Sequence, residues 1–150
     1  PVGNITLAPS SLRGIELGAE EIPDLIDELP LIAVLGCFAD GRTTVRGAGE
    51  LRVKESDRIS SMASNLSRLG ASIEELPDGF IVQGGVPLHA SDMDSFGDHR
   101  IAMASAVAAL GADRPSTIHD AECIRVSFPA FVPLMQRVGM DIKVISPEAV

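Results

Sequence analysis

The chain has 150 residues, 45% of them hydrophobic and 22% charged, so it can form one full hydrophobic core or two small ones. Its 21 acidic and 12 basic residues give a formal charge of −9. This balance argues against a broad surface for nucleic acid or for an anionic membrane, since both require excess Lys and Arg. The few aromatic residues are all phenylalanine, which excludes the stacking platforms of single-strand binders.

The first elements in chain order are a helix, a strand and a second helix. Small and apolar residues over 30–39 predict a closely packed helix that is almost fully buried. The alternating segment 43–47 predicts a strand, and 58–69 predicts an amphipathic helix that ends at Gly70 in a left-handed C-cap. The buried face of that helix is predicted to carry Ile59, Met62, Leu66 and Leu69.

A hairpin and a second series of elements follow. The strand 72–76 is predicted to pair with 80–83 across the turn Pro77-Asp78-Gly79. The second series comprises a buried helix over 99–110, a strand over 116–120, an amphipathic helix over 128–138 and a strand over 141–145.

The sequence contains an internal similarity between 66–76 and 135–145. Three pairs of residues are identical in the two segments: Arg68 and Arg137, Gly70 and Gly139, Ile73 and Ile142. The similarity predicts an α/β fold of two duplicated units, at about 22–83 and 86–146. Residues that both copies share are assigned to structure, with the two arginines at solvent-exposed helix ends. Residues present in one copy only are candidates for function.

The densest unshared group of charges is Glu50-Leu-Arg-Val-Lys-Glu-Ser-Asp-Arg58. If a helix starts near Lys54, then Lys54, Glu55 and Arg58 share one face. The group would then form a positive patch at a helix start, suited to a phosphate or a carboxylate. The alternative is a solvated helix face with internal salt bridges.

Two shorter charged segments each precede a buried helix. Asp98 is a good N-cap and Arg100 can clamp an anion with its planar fork, although a cap beside a snorkelling arginine is an equal alternative. His99 alone is more often structural than a proton carrier. Asp27 and Glu28 are expected to cap the first helix. If all these segments meet in space, a carboxylate base would instead face a cluster of cations beside Glu55, which suits proton transfer on an anionic substrate.

Together these segments resemble the 3-phosphoshikimate 1-carboxyvinyltransferase family, the EPSP synthases. Leu-Arg-Val-Lys-Glu-Ser-Asp-Arg (51–58) and Asp-His-Arg-Ile-Ala-Met (98–103) are similar to its signature segments. Ile-Asp-Glu-Leu-Pro (26–30) and Ser-Phe-Pro (127–129) are similar to its class II variant. The resemblance extends from about 22 to 144. The related UDP-N-acetylglucosamine carboxyvinyltransferases share the fold but lack the Arg-Val-Lys-Glu-Ser-Asp-Arg segment.

The resemblance implies a domain of repeated βαβαββ units in an inverse α/β prism. It also implies that the chain is a C-terminal piece of a longer cytoplasmic enzyme and is inactive without the remainder. The implied substrates are shikimate-3-phosphate and phosphoenolpyruvate, in the pathway to chorismate and aromatic amino acids. No metal or organic cofactor is implied.

Two cysteines without a Cys-x-x-Cys pair indicate reduced thiols, with Cys123 in the core, and no zinc spacing links them to the histidines.

The resemblance also implies roles for individual residues. Asp27 would accept the proton of the 5-hydroxyl and contact shikimate-3-phosphate, which Lys54 would also bind. Glu55 would donate a proton to C3 of phosphoenolpyruvate and later remove it. Arg58 and Arg100 would hold phosphoenolpyruvate, with His99 beside them. Many members carry a lysine near the position of Val126, next to Arg125, and neither residue receives a role.

Two other classes of function stay open at this point. The chain could be a stand-alone module that binds anionic metabolites, or a structural domain without a site. A domain closer to the UDP-N-acetylglucosamine carboxyvinyltransferases is a further alternative. The unshared charged segments favour the enzyme, because a purely structural domain has no need of so many charges at helix starts.

Overall fold

The computed structural model describes residues 3–6 and 8–145. The first half builds a four-stranded sheet in the order β1-β2-β4-β3, in which β1 pairs parallel with β2 and the other pairs are antiparallel. Its strands are β1 (Glu16–Leu17), β2 (Arg42–Val45), β3 (Ser72–Leu76) and β4 (Gly79–Gln83). Its helices are α1 (Ile22–Leu25), α2 (Leu29–Phe38) and α3 (Arg58–Arg68), the last preceded by a 3-10 helix, Gly49–Val53.

The second half repeats part of this order. Its strands β5 (Asp92–Asp94) and β6 (Thr117–His119) form a parallel pair. Helix α4 (His99–Ala109) connects them, and a 3-10 helix (Ala121–Cys123), α5 (Ile124–Ser127) and α6 (Phe131–Arg137) follow. Apart from the four-residue helices α1 and α5, the first half reads βαβαββ and the second, in its described residues, βαβα. The mixed α/β fold is confirmed, whereas the duplication itself stays a prediction.

The hydrophobic core lies between the sheet and the three longest helices. The predicted apolar face of α3 is buried, with Ile59, Met62, Leu66 and Leu69 at most 1% exposed. Gly36 lets α2 approach the sheet closely, since a Cβ there would lie 3.2 Å from the side chains of Thr43 and Val82. The predicted left-handed C-cap of α3 is also confirmed, because Gly70 has a φ of +88°, and Gly139 has the same kind of conformation after α6, with a φ of +100°.

A buried amide connects α3 to the second half. The Asn65 side chain is fully buried, and its Nδ2 donates to the carbonyl of Asp94 at 2.8 Å and to the Ser105 hydroxyl at 2.9 Å. Its Oδ1 accepts from the Asp94 backbone N–H at 3.2 Å. Asn65 thus bonds both backbone groups of the last residue of β5, as a neighbouring strand would.

Three predictions about these elements are wrong. Helix α2 is not almost fully buried, since Leu31, Leu35 and Phe38 are 37–43% exposed in the described chain. The helix predicted over 128–138 begins at Phe131, because the proline at 129 keeps Phe128 out of helical geometry, at φ −139° and ψ 69°.

The third incorrect element is the strand over 141–145. No strand is assigned there, and Ile142 N–H bonds the carbonyl of Met140 in a local turn. A strand requires a neighbour for its backbone groups, and none of the described residues provides one at this place.

Among the described residues there is also no helix long and apolar enough to cross a membrane.

Candidate active site

The starts of the three long helices meet at one place, and each brings a charged segment. Asp27 and Glu28 precede α2, Arg58 is the first residue of α3, and Arg100 is the second residue of α4. The free N–H groups and the dipole at each helix start favour negative charge nearby. The local sequence fixes two of these starts, because Asp57 caps α3 and Asp98 caps α4 through side-chain oxygens that accept backbone N–H groups.

Arg58 is the centre of the cluster, and its side chain is 1% exposed. Its Nε donates to Oδ2 of Asp98 at 2.7 Å. Its Nη1 donates to Oδ1 of Asp27 at 3.1 Å, and its Nη2 donates to Oε2 of Glu55 at 2.5 Å. One buried guanidinium thus bonds three carboxylates from three separate segments of the chain.

The buried pair Arg58 and Asp98 stays ionised. Burial alone would raise the pKa of Asp98, but hydrogen bonds from the Arg58 side chain and the Arg100 backbone outweigh it and lower that pKa. Burial would likewise lower the pKa of Arg58, and the bond to Asp98 with the charges around it raises it instead. Both charges are therefore permanent features of the site near neutral pH.

Arg100 is the more accessible of the two arginines, with a side chain 29% exposed. Its Nη2 donates to Oδ2 of Asp27 at 3.1 Å, and its Nη1 donates to the Asp27 carbonyl at 3.0 Å and to Oε1 of Glu28 at 3.4 Å. Asp27 consequently bridges the two arginines, one on each oxygen, while its side chain stays 47% exposed.

Four of the six predicted site residues are in this cluster: Asp27, Glu55, Arg58 and Arg100. Lys54 lies beside it and pairs with Glu50. His99 is half-buried, and its side chain makes no hydrogen bond among the described residues.

One expectation about helix starts is confirmed and another is wrong. The helix begins at Arg58 as predicted, with Asp57 as its cap, so the condition of a start near Lys54 is not met and Lys54 has an extended backbone. Asp27 and Glu28 do not cap α2, which has no side-chain cap; their carboxylates bond the arginines instead.

Sequence reasoning missed the buried role of Asp98, which it treated as a cap alone. Ser56 was also missed; its hydroxyl donates to Oδ2 of Asp98 at 3.2 Å. One signal was available, since Arg58 stands at the start of a helix predicted to bury one face, and a buried arginine requires a carboxylate. The partner could not be chosen from the sequence, because it lies 40 residues away.

The cluster combines cationic and anionic side chains in direct contact. Two arginines face four carboxylates, from Asp27, Glu28, Glu55 and Asp98. An anion that replaces Asp27 or Glu55 as the partner of an arginine leaves that carboxylate free to transfer a proton to or from the bound anion. The described residues contain no group of three His, Cys, Asp or Glu side chains placed to hold a metal ion.

Comparison with protein families gives one match over most of the chain. The model of EPSP synthase (3-phosphoshikimate 1-carboxyvinyltransferase) matches residues 1–135. The protein of that name from Synechococcus sp. (strain JA-3-3Ab) is 48% identical over 137 residues, which are 91% of this chain and 31% of the relative. Its namesake from Desulforamulus reducens is 51% identical over 141 residues, which are 94% of this chain and 33% of the relative.

Solved structures give the same result. A 2.37 Å structure of EPSP synthase from Acinetobacter baumannii superposes with a TM-score of 0.86 at 38% identity, over 91% of this chain and 32% of that one. The enolpyruvyl transferase NikO from Streptomyces tendae superposes with a TM-score of 0.73 at 25% identity, over 91% of this chain and 30% of that one. The chain thus spans about a third of the length of these relatives.

Proposed function

The chain belongs to the EPSP synthase family, and we propose that it forms one side of an active site that transfers the enolpyruvyl group of phosphoenolpyruvate to the 5-hydroxyl of shikimate-3-phosphate. The remainder of a longer enzyme would supply the other side, because the curated relatives are about three times the length of this chain. The reaction belongs to the shikimate pathway, which leads to aromatic amino acids. We place it in the cytoplasm, in keeping with the two free cysteines.

One observation carries the proposal: Arg58 and Arg100 share the carboxylate of Asp27, and Arg58 also bonds Glu55. Two cations suited to a phosphate or a carboxylate therefore lie in contact with two half-exposed carboxylates suited to proton transfer. Enolpyruvyl transfer needs this combination, since an anionic substrate must be held while protons move to and from it.

The resemblance to the family implies one role for each carboxylate. Asp27 takes the proton of the 5-hydroxyl while the hydroxyl oxygen bonds to C2 of phosphoenolpyruvate. Glu55 delivers a proton to C3, and a tetrahedral intermediate results. Glu55 then removes one proton from C3 while the bond from C2 to the phosphate oxygen breaks. The double bond re-forms between C2 and C3, and inorganic phosphate leaves with the proton that Asp27 had accepted, so that both carboxylates return to their starting states.

The cations hold the substrates while this happens. Arg100 takes phosphoenolpyruvate directly, since 29% of its side chain is exposed. Arg58 reaches it when Asp27 or Glu55 moves aside, because its side chain is 1% exposed beneath these two carboxylates. Lys54 binds shikimate-3-phosphate after leaving Glu50, and His99 lies beside the phosphoenolpyruvate site.

The test is steady-state assay of phosphate release by the full-length protein that contains this chain. Arg100→Ala removes two contacts to Asp27 and an anion ligand, so kcat/KM for phosphoenolpyruvate should fall about 100-fold or more. Arg137→Ala is the matched control, an exposed arginine in the last turn of α6, and should change kcat/KM less than about twofold. Equal kinetics in the two variants would refute the site assignment.

A titration of this chain separates the enzyme from a stand-alone binding module. Backbone amide NMR signals are followed as shikimate-3-phosphate and then phosphoenolpyruvate are added. Shifts confined to Asp27, 54–58 and 99–100 would mean that this side of the site binds without the remainder. Dispersed spectra without shifts at millimolar ligand would mean that affinity requires the longer protein, which excludes the stand-alone module.

A further inference from the structure

Arg58 holds its two kinds of N–H group toward two different regions. The Nε points inward to Asp98, whose side chain is fully buried. The terminal Nη1 and Nη2 point to Asp27 and Glu55, whose side chains are 47% and 52% exposed. Because Nε is bonded to the buried Asp98, the two terminal nitrogens, Nη1 and Nη2, are the part of the guanidinium that faces the accessible side of the cluster.

Asp98 divides its two oxygens between the two arginines. Its Oδ2 accepts from Arg58 Nε at 2.7 Å and from the Ser56 hydroxyl at 3.2 Å. Its Oδ1 accepts from the backbone N–H of Arg100 at 2.9 Å. A single carboxylate therefore fixes the first side chain of α3 against the first turn of α4.

Neither oxygen of Asp98 is available to a substrate. The residue is fully buried and both of its oxygens are occupied by bonds within the chain. A buried ion pair is also a weak source of stability, because desolvation of the two charges offsets their attraction. A role in geometry accounts for the arrangement better than a role in stability.

We propose that Asp98 is a positioning residue that sets Arg58 and Arg100 relative to each other, so that both present their guanidinium groups to one anion. The proposal rests on the proposed function. Ser56 supports the arrangement through its bond to the same oxygen that receives Arg58. Asp98 itself contacts no substrate.

The decisive variant is Asp98→Asn in the full-length protein. Asparagine caps a helix as well as aspartate, so the bond to Arg100 N–H is kept. Its Nδ2 replaces Oδ2 and meets the Nε of Arg58 donor to donor, so Arg58 is turned out of place. Because misplacement of a substrate ligand by about 1 Å costs about 100-fold, kcat/KM for phosphoenolpyruvate should fall about 100-fold, with KM for shikimate-3-phosphate changed much less.

A spectroscopic measurement follows the two arginines separately. In protein labelled with 15N-arginine, the Arg58 Nε–H signal should be protected from solvent exchange and should lose that protection in Asp98→Asn, while the Arg100 backbone signal stays. Asp113→Asn is the control: that carboxylate also accepts a backbone N–H, from Ala90 at 2.9 Å, outside the cluster. It should leave the kinetics and the Arg58 signal unchanged.

A milder variant covers the case in which Asp98→Asn does not fold. Ser56→Ala removes one hydroxyl from Oδ2 and should raise KM for phosphoenolpyruvate about three- to tenfold without loss of the fold. A KM unchanged in Ser56→Ala, or kinetics of Asp98→Asn within about threefold of the parent, overturns the positioning role.

The two proposals fail in different ways. A parent protein without phosphate release would refute the proposed function, and the Arg58 and Arg100 signals would still decide whether Asp98 positions them. An active parent with an undisturbed Arg58 signal in Asp98→Asn would refute the positioning role alone.

Discussion

Replacement of Asn65 by alanine should loosen the connection between the two halves of the chain. Three hydrogen bonds are lost, to the Asp94 carbonyl, the Asp94 N–H and the Ser105 hydroxyl. At about 1 kcal/mol for each net bond, the free energy of unfolding should fall by about 3 kcal/mol. For a chain of this length, that corresponds to a Tm lower by about 6–12 °C.

Two measurements check this value. The midpoint of urea unfolding, followed by far-UV circular dichroism at constant m-value, gives the change in free energy. Hydrogen exchange at the Asp94 amide reports the lost bond directly, because in the parent that N–H bonds the Asn65 side chain. Ser67→Ala, at an exposed position of the same helix, should change stability by less than about 0.5 kcal/mol. A loss of less than about 1 kcal/mol in Asn65→Ala, or an Asp94 amide that stays protected, would refute the reasoning.

Three further predictions concern acid, packing and thiol chemistry. The pKa of Asp98 is lowered on folding, so the contribution of its charge to stability is present above the unfolded pKa of about 3.9 and is lost as the pH falls below that value. In Asp98→Asn, the free energy of unfolding should therefore depend less on pH in this acidic range than in the parent. Gly84→Ala should cost more than about 2 kcal/mol in urea unfolding, since a Cβ would lie 2.0 Å from the Ala39 carbonyl oxygen, whereas Gly49→Ala has open space and should be tolerated. Burial raises the pKa of the Cys37 thiol to about 11, so a thiol reagent at pH 8 should label the less buried Cys123 first and Cys37 only after denaturation; equal native rates would contradict this.

Local signals in the sequence were sufficient for most helices and for the hairpin. Asp98 and the left-handed Gly70 each act within one turn of the helix that they delimit, so short patterns reveal them. The strand at 141–145 could not be judged in the same way. The alternation of apolar and polar residues there is typical of a strand, but a strand also requires a partner for its backbone groups, and no local pattern reports one.

The site was predictable by residue type and not by partner. Lys54, Glu55 and Arg58 were identified from charge density, yet the bonds that define the cluster join positions 31, 40 and 73 residues apart. Asp27 illustrates the difference. Its own segment predicted a helix cap, and it was expected to face cations only if the charged segments met in space; the fold brings two arginines to it and makes it a bridge.

The separation between Arg58 and Asp98 also has a consequence during synthesis. At 5–20 residues per second, a ribosome adds the 40 residues between them in about 2–8 s. All four strands of the first sheet are complete by Gln83, before Asp98 exists. In that interval Asp27 and Glu55 are already available to the two Nη groups of Arg58, whereas its Nε has no carboxylate partner until Asp98 emerges. The start of α3 therefore reaches its fully paired state only after the second half has begun to emerge.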